Sequence, residues 1–268
     1  MKKLISFWPA FAGALLLTMC FTFTACGSDD SSDDPNDPTA SVPDPEGTIE
    51  MKVRNGNNGK TVIEDFVFIN DANNFIGNNS STATKIVSLG AMKGLGNVTR
   101  IPGTGWAKEV GVKKGYGYVA YDGAKSHQFY RIYVTKSTTN VSNEIIGWEV
   151  KYQKGFKGND VTLKPDLTSV KATKYPSEYL RYIGNVGYWR DCYNQEIQFQ
   201  NSELCAYTVE VEDFKEWCTI PSEMQGPDGF VIRIEKPEMQ ESEKSCKVTV
   251  TTAYGKKTVI DVQRVYPN

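Results

Sequence analysis

The sequence predicts an all-β protein made of two β-sandwich-like domains behind a signal peptide and a disordered tether. Three observations carry that expectation. From Gly47 onward apolar and polar residues alternate with period two, the pattern of strands that bury one face. Glycines at 90, 94, 96, 103, 105, 111, 115 and 117 cut the first half into short strands and turns, as in a sandwich or barrel. The alternation lapses between Phe156 and Asn194 and resumes after it, which sets one domain on each side.

The first element is residues 1–25. Lys2 and Lys3 open the chain, an apolar run extends from Leu4 to Phe23, and the small Ala25 precedes Cys26. A basic start, an apolar middle and a small residue before the cut describe a secretory signal. A membrane-spanning helix needs about 20 unbroken apolar residues, whereas Pro9, Thr18, Thr22 and Thr24 interrupt this run. Phe23-Thr24-Ala25-Cys26 resembles the lipobox of bacterial lipoproteins, with Phe23 where leucine is usual. That resemblance implies cleavage before Cys26, acylation of Cys26 and attachment to a lipid bilayer. Cys20 is the rival acceptor, but Met19 before it is too large for the peptidase.

Residues 26–46 are the tether. Gly27-Ser28-Asp29-Asp30-Ser31-Ser32-Asp33-Asp34 resembles the acidic export signal of Bacteroidota lipoproteins, which implies the outer face of the outer membrane. An acidic Ser/Pro/Asp composition also suits a plain solvated spacer, because it cannot bury a core. Extended at about 3.1 Å per residue, it reaches roughly 60 Å.

The whole chain has 30 Lys plus Arg against 32 Asp plus Glu. The signal holds Lys2 and Lys3, and the tether holds seven acids and no base, which leaves 28 bases against 25 acids in the rest. So even a balance carries no electrostatic footprint for nucleic acid. Cys192, Cys205, Cys218 and Cys246 lie in the C-terminal third. Four cysteines in an exported protein suggest disulfides with three connectivities. Cys246 shares a strand face with Val248 and Val250, so a Cys218–Cys246 bridge between sheets, with Cys192–Cys205 as the second pair, is one expectation. Four small buried thiols is the other.

The N-terminal β domain spans 47–155. Thr48 to Arg54 alternates strictly and ends at the turn Asn55-Gly56. Further strands are expected at 61–69, 85–89, 108–112, 117–121, 129–135 and 145–152, with 70–82 a polar loop. Val67-Phe68-Ile69-Asn70-Asp71-Ala72-Asn73-Asn74-Phe75, Lys93 to Thr99, Gly105-Trp106-Ala107 and Gly115 to Ala120 resemble an uncharacterised domain of Bacteroidota lipoproteins, which implies no known activity.

Residues 156–194 read as a connector, with one short helix from Pro176 to Ile183 ended by Gly184. In 195–268 strands are expected at 196–200, 206–211, 229–235, 246–252 and 258–264, with turns at Pro227-Asp228-Gly229 and Tyr254-Gly255-Lys256. Trp217 to Ile220, Phe230 to Ile234, Cys246 to Val250 and Thr258 to Gln263 resemble a BACON domain, a Bacteroidota-associated immunoglobulin-like sandwich named for carbohydrate binding. Cys218 and Cys246 stand where that family usually has apolar residues.

No motif for catalysis emerges. Gly94-x-Gly96 lacks the third glycine and the helix of a dinucleotide loop. Asp71-x-Asn73 begins like a calcium loop, but Phe75 and Thr82 occupy ligand places, so a hydrophilic loop is preferred. His127 is the only histidine, and no Cys-x-x-Cys pair exists, which argues against a zinc site. No catalytic residue, metal or cofactor is therefore expected. The expected function is a non-catalytic binding module for glycan or host glycoprotein, with Trp106, read as exposed in its loop between Gly105 and Ala107, and Tyr188 and Trp189 as the stacking rings. The alternative is a structural or adaptor lipoprotein contacting other envelope proteins. Trp148 and Trp217 are read as core.

Overall fold

A computed structural model describes residues 42–56, 62–77, 84–183, 186–213, 216–238 and 241–266, with the backbone alone for 180–183 and 186–188. The expected signal, Cys26 and most of the tether lie outside the described residues. The chain is all-β, and the described residues fall in one compact unit, Asp34–Asn268.

The N-terminal lobe contains β1 (Ile49–Arg54), β2 (Val67–Ile69), β3 (Asn74–Gly77), β4 (Lys85–Ala91), β5 (Ile101–Pro102), β6 (Glu109–Gly111), β7 (Tyr116–Asp122), β8 (Gln128–Thr139) and β9 (Ile145–Lys154). Its main sheet has the order β1-β9-β8-β7-β4, and a smaller sheet has the order β2-β3-β6. One face of the main sheet, with Val53, Ile132, Trp148 and Val150, meets Ile63, Phe66 and Phe75 in a closed core. The alternation in β1 predicted this, and Trp148 is core as expected, 4% exposed.

The opposite face of the main sheet is also covered, so six consecutive residues of β7 are buried. Val87, Val119, Tyr121 and Phe129 join Ile197, Phe199, Phe230, Val248 and Ile260 in a second core. The two lobes therefore share one hydrophobic core. A strand apolar throughout is the mark of a sheet buried on both faces.

The second half holds β10 (Ser169–Ala172), β11 (Ser177–Ile183), β12 (Val186–Gln198), β13 (Glu203–Leu204), β14 (Tyr207–Val211), β15 (Cys218–Thr219), β16 (Gly229–Glu235), β17 (Lys244–Thr252) and β18 (Lys257–Arg264). All but β13 form two sheets, β10-β18-β17-β14 and β11-β12-β16-β15. Trp217 is buried, as the sequence indicated, with the Arg264 guanidinium 5.0 Å from its ring.

The helix expected at 176–183 is absent. Ser177–Ile183 is strand β11, paired antiparallel with β12, Glu178 opposite Arg190 and Tyr179 opposite Trp189. A long neighbouring strand satisfies these backbone groups better than an isolated two-turn helix can. The connector also supplies β10, which runs parallel to β18, the last strand. A short ladder stitches the lobes: Leu204 of β13 pairs with Ile101 of β5, and Gly103 N–H donates to Ser202 C=O at 2.8 Å.

Candidate functional site

Where the lobes meet they leave an open cleft of about 680 Å³. One wall comes from the β7–β8 hairpin, Ser126 to Phe129, and from Gly155 to Lys157 after β9. The other comes from Ala206 to Glu210 on β14 and from Thr251 to Ala253 at the end of β17. Phe129, Phe156 and Tyr207 form an apolar floor and are nearly buried. Ser126, Gln128, Thr208 and Thr251 give a neutral polar rim, with Lys157 and Glu210 the fully charged lining residues.

Each wall is held by its own chemistry. The carboxylate of Asp122, 4% exposed, accepts the N–H groups of Ala124, Lys125 and Ser126 at 3.2, 3.2 and 3.0 Å and the Ser126 hydroxyl at 2.7 Å. An aspartate closing a turn on backbone N–H groups is what this residue type does well. On the far side, the Tyr207 hydroxyl donates toward the carbonyl oxygens of Gly226 at 2.6 Å and Gly229 at 3.1 Å. Burial pushes the Tyr207 hydroxyl well above its ordinary pKa, so it stays a neutral donor.

His127 ends the hairpin turn with φ +52 and lies 3.2 Å from the Tyr121 hydroxyl through Nδ1. Burial lowers its pKa below the ordinary 6.5, and Asp122 partly opposes this. The folded state thus favours neutral imidazole, while the unfolded chain takes up a proton as pH falls below 6.5. His127 accordingly costs nothing above that value and destabilises the fold increasingly as pH drops below it. Glu178 and Glu241 have lowered pKa values, and their stabilisation is lost only below their ordinary 4.5. The His127→Gln variant is therefore expected to lose less melting temperature than the parent between pH 7 and 5. Parallel curves would remove His127 from this account.

The expected stacking rings are not brought together. Trp106 is half-buried: its indole N–H donates to Pro102 C=O at 2.9 Å, and its ring lies 6.0 Å from Phe129. The expectation of an exposed loop ring is corrected. Gly105, at φ +85, turns the chain so that Trp106 packs behind the cleft floor. Trp189 is 64% exposed on β12 and meets Tyr179 edge-on at 5.3 Å. The Tyr188 side chain lies outside the described residues, and β11 and β12 contribute none of the described cleft lining. Sequence reasoning missed the cleft floor: Phe129 and Tyr207 read only as strand residues, and Phe156 as the start of the connector.

The four body cysteines are all buried free thiols. Cys218 hydrogen-bonds Cys246 across the sandwich, and that contact together with burial pushes the Cys218 thiol far up. Cys192 and Cys205 have different partners. Cys192 donates to the Glu178 carboxylate at 3.1 Å, and Arg233 pairs with the same carboxylate at 3.3 Å. Burial and Glu178 push the Cys192 thiol up to about 11. Cys205 sits in the shared core, 3.7 Å from Val161 C=O. Non-reducing peptide mapping is expected to find no Cys192–Cys205 fragment, and finding one would refute this placement.

The calcium-like loop spends its oxygens internally where it is described. Asn73 Oδ1 accepts from Asn55 at 2.7 Å and from the Trp148 indole at 3.1 Å, while Asn70 and Asn74 amides donate to Glu109. Among the described residues no group of three His, Cys, Asp or Glu side chains is arranged to hold a metal. No curated protein matches the chain. Residues 48–173 match a family model described as "Domain of unknown function (DUF5036)". The match runs past the expected boundary at 155 and ends just beyond β10, so it includes Phe129, Phe156 and Lys157. The residues that form this side of the cleft are thus similar to an uncharacterised domain family, DUF5036.

Proposed function

We propose that this chain is a membrane-anchored, cell-surface lipoprotein acting as a non-catalytic binding module, with its ligand held in the cleft between the lobes. The lipobox resemblance at Cys26 and the acidic tether support the anchorage and the outward placement. One observation carries the binding role: an open cleft of about 680 Å³ with an aromatic floor and a neutral polar rim. Small-ligand and segment-binding sites commonly have this size and this mixture of apolar floor and few polar groups. The BACON resemblance makes a glycan or glycoprotein a natural ligand.

A second reading, an adaptor contacting envelope proteins, is favoured by the exposed Trp189–Tyr179 pair on the edge hairpin. The two readings separate experimentally. The mature chain in detergent micelles is screened on immobilised glycans and cell-surface glycoproteins. Gln128→Trp, an exposed substitution on the cleft wall, is expected to weaken binding by about tenfold or more with the melting temperature unchanged. Trp189→Ala is expected to leave binding intact. The reverse pattern would move the site to the hairpin and favour the adaptor.

A further inference from the structure

β14 is an edge strand, hydrogen-bonded on one side to β17 alone. Its register sets Thr208 opposite Thr251, Val209 opposite Val250 and Glu210 opposite Thr249. At the strand's two ends, Ala253 N–H donates to Ala206 C=O at 2.7 Å and Glu212 N–H donates to Lys247 C=O at 2.8 Å. From Thr208 to Glu212 the even-numbered positions therefore turn toward β17, while Ala206 turns only its carbonyl there. Main-chain groups alternate in direction along an antiparallel strand, so the N–H and C=O of Val209 point to the open edge. Four consecutive residues, Tyr207 to Glu210, line the cleft. The cleft thus looks onto the strand's edge, with side chains of both faces beside it.

The chain itself pairs just ahead of this strand and then leaves it. Gly158 bridges Cys205 in antiparallel sense, and Ala206 N–H donates to Lys157 C=O at 2.9 Å. The pairing stops there, because Phe156 N–H turns to Phe129 C=O at 2.9 Å and Gly155, at φ +68, swings the segment into the other lobe's sheet. From Tyr207 onward the edge has no strand beside it among the described residues, and the cleft lies over that stretch. Tyr207-Thr208-Val209-Glu210-Val211 also contains neither the lysine nor the proline that commonly blunts an exposed edge.

The geometry points to an extended polypeptide segment as the ligand, added to the open edge of β14 as a further antiparallel strand through Val209. This rests on the cleft being the ligand site. The segment accepts from Val209 N–H and donates to Val209 C=O, and it lays one apolar side chain on the floor of Phe129 and Phe156. Strand addition of this kind draws affinity from main-chain bonds and specificity from pockets for alternate side chains. The five residues of β14, at about 3.4 Å each, match a segment of about five residues. A glycan has no alternating donors and acceptors at this repeat.

The test uses the mature full chain in detergent micelles and a displayed library of random peptides about seven residues long, with the selected peptides then synthesised. Bound peptides are expected to slow hydrogen exchange of the Val209 amide. N-methylating the peptide residue that pairs with Val209 should weaken binding by about tenfold. Val209→Pro, which removes a donor that β17 does not use, should do the same. If that variant does not fold, the N-methylated peptides decide alone. Peptides that bind with no protection of Val209 and no loss on N-methylation overturn strand addition. No selected peptide, together with a glycan whose binding Gln128→Trp abolishes, overturns the peptide ligand and leaves the cleft standing. Failure of every probe at the cleft overturns both.

Discussion

Replacing Gly103 with alanine is expected to lower the melting temperature by about 2–12 °C. A Cβ at this position would lie 1.7 Å from the carbonyl oxygen of Asn201 and 2.8 Å from its carbon. Both atoms are backbone, so no rotamer change relieves the overlap. Relief means moving the 201–204 segment away, which breaks the Gly103 N–H bond to Ser202 and loosens the pairing of Ile101 with Leu204. Those two side chains are fully buried in the core that the lobes share. Overpacking of this kind costs about 1–3 kcal/mol or more, and each kcal/mol moves the midpoint of a domain this size by about 2–4 °C. Gly115→Ala is the control: φ is +76 but nothing lies within 4 Å of the added atom, so only the left-handed backbone cost of about 1–2 kcal/mol applies. Thermal unfolding followed by circular dichroism compares the two. A Gly103→Ala protein that melts with the parent would mean that the lobes are not held through this ladder.

Much of the strand content was legible because burial on one face leaves a period of two. β1, β17 and β18 alternate cleanly and appear where expected. β3 was hidden in the polar loop, since of Asn74-Phe75-Ile76-Gly77 only Phe75 is fully buried and the asparagines serve as hydrogen-bonding groups. β11 was misread because Pro176 sits where a helix would start and because Tyr179, Tyr182 and Ile183 have helix-like spacing. The pairing with β12, a non-local contact, decides the matter, and no local pattern encodes it. The same reason explains the cysteines. Alternation marked Cys246 as inward, but the polar partner of Cys192, Glu178, comes from that unforeseen strand.

The cleft was illegible for a different reason. Its walls come from 126–129, 155–157, 206–210, Gln225 and 251–253, segments with no common motif. Each is ordinary taken alone: an aspartate-closed hairpin turn, a strand exit and an edge strand. The site exists because the main sheet of the N-terminal lobe buries its second face against the other lobe and leaves a gap beside β14. Trp106 shows the limit of composition as a guide. A tryptophan flanked by Gly105 and Ala107 looked exposed, yet its N–H is satisfied and its ring supports Phe129.

Replacing Cys26 with alanine is expected to release the protein from the membrane entirely. Among the described residues no helix is long and apolar enough to cross a bilayer. In the proposed lipoprotein the signal is removed, and the acyl chains on Cys26 are what remains to hold the β body. Each buried methylene contributes about 0.8 kcal/mol, so one chain holds weakly and two or three hold effectively permanently. The effect is therefore close to all-or-none. Detergent phase partitioning reads it: the parent enters the detergent phase, and Cys26→Ala stays in the aqueous phase. Changing the acids of Asp29 to Asp34 to alanine makes a second, separable prediction, because it leaves Cys26 acylated. Partitioning should be unchanged, while protease added outside the cell should no longer reach the protein. A Cys26→Ala protein that still enters the detergent phase would show that the apolar run from Leu4 to Phe23 is retained as the anchor, and the lipoprotein reading would fall.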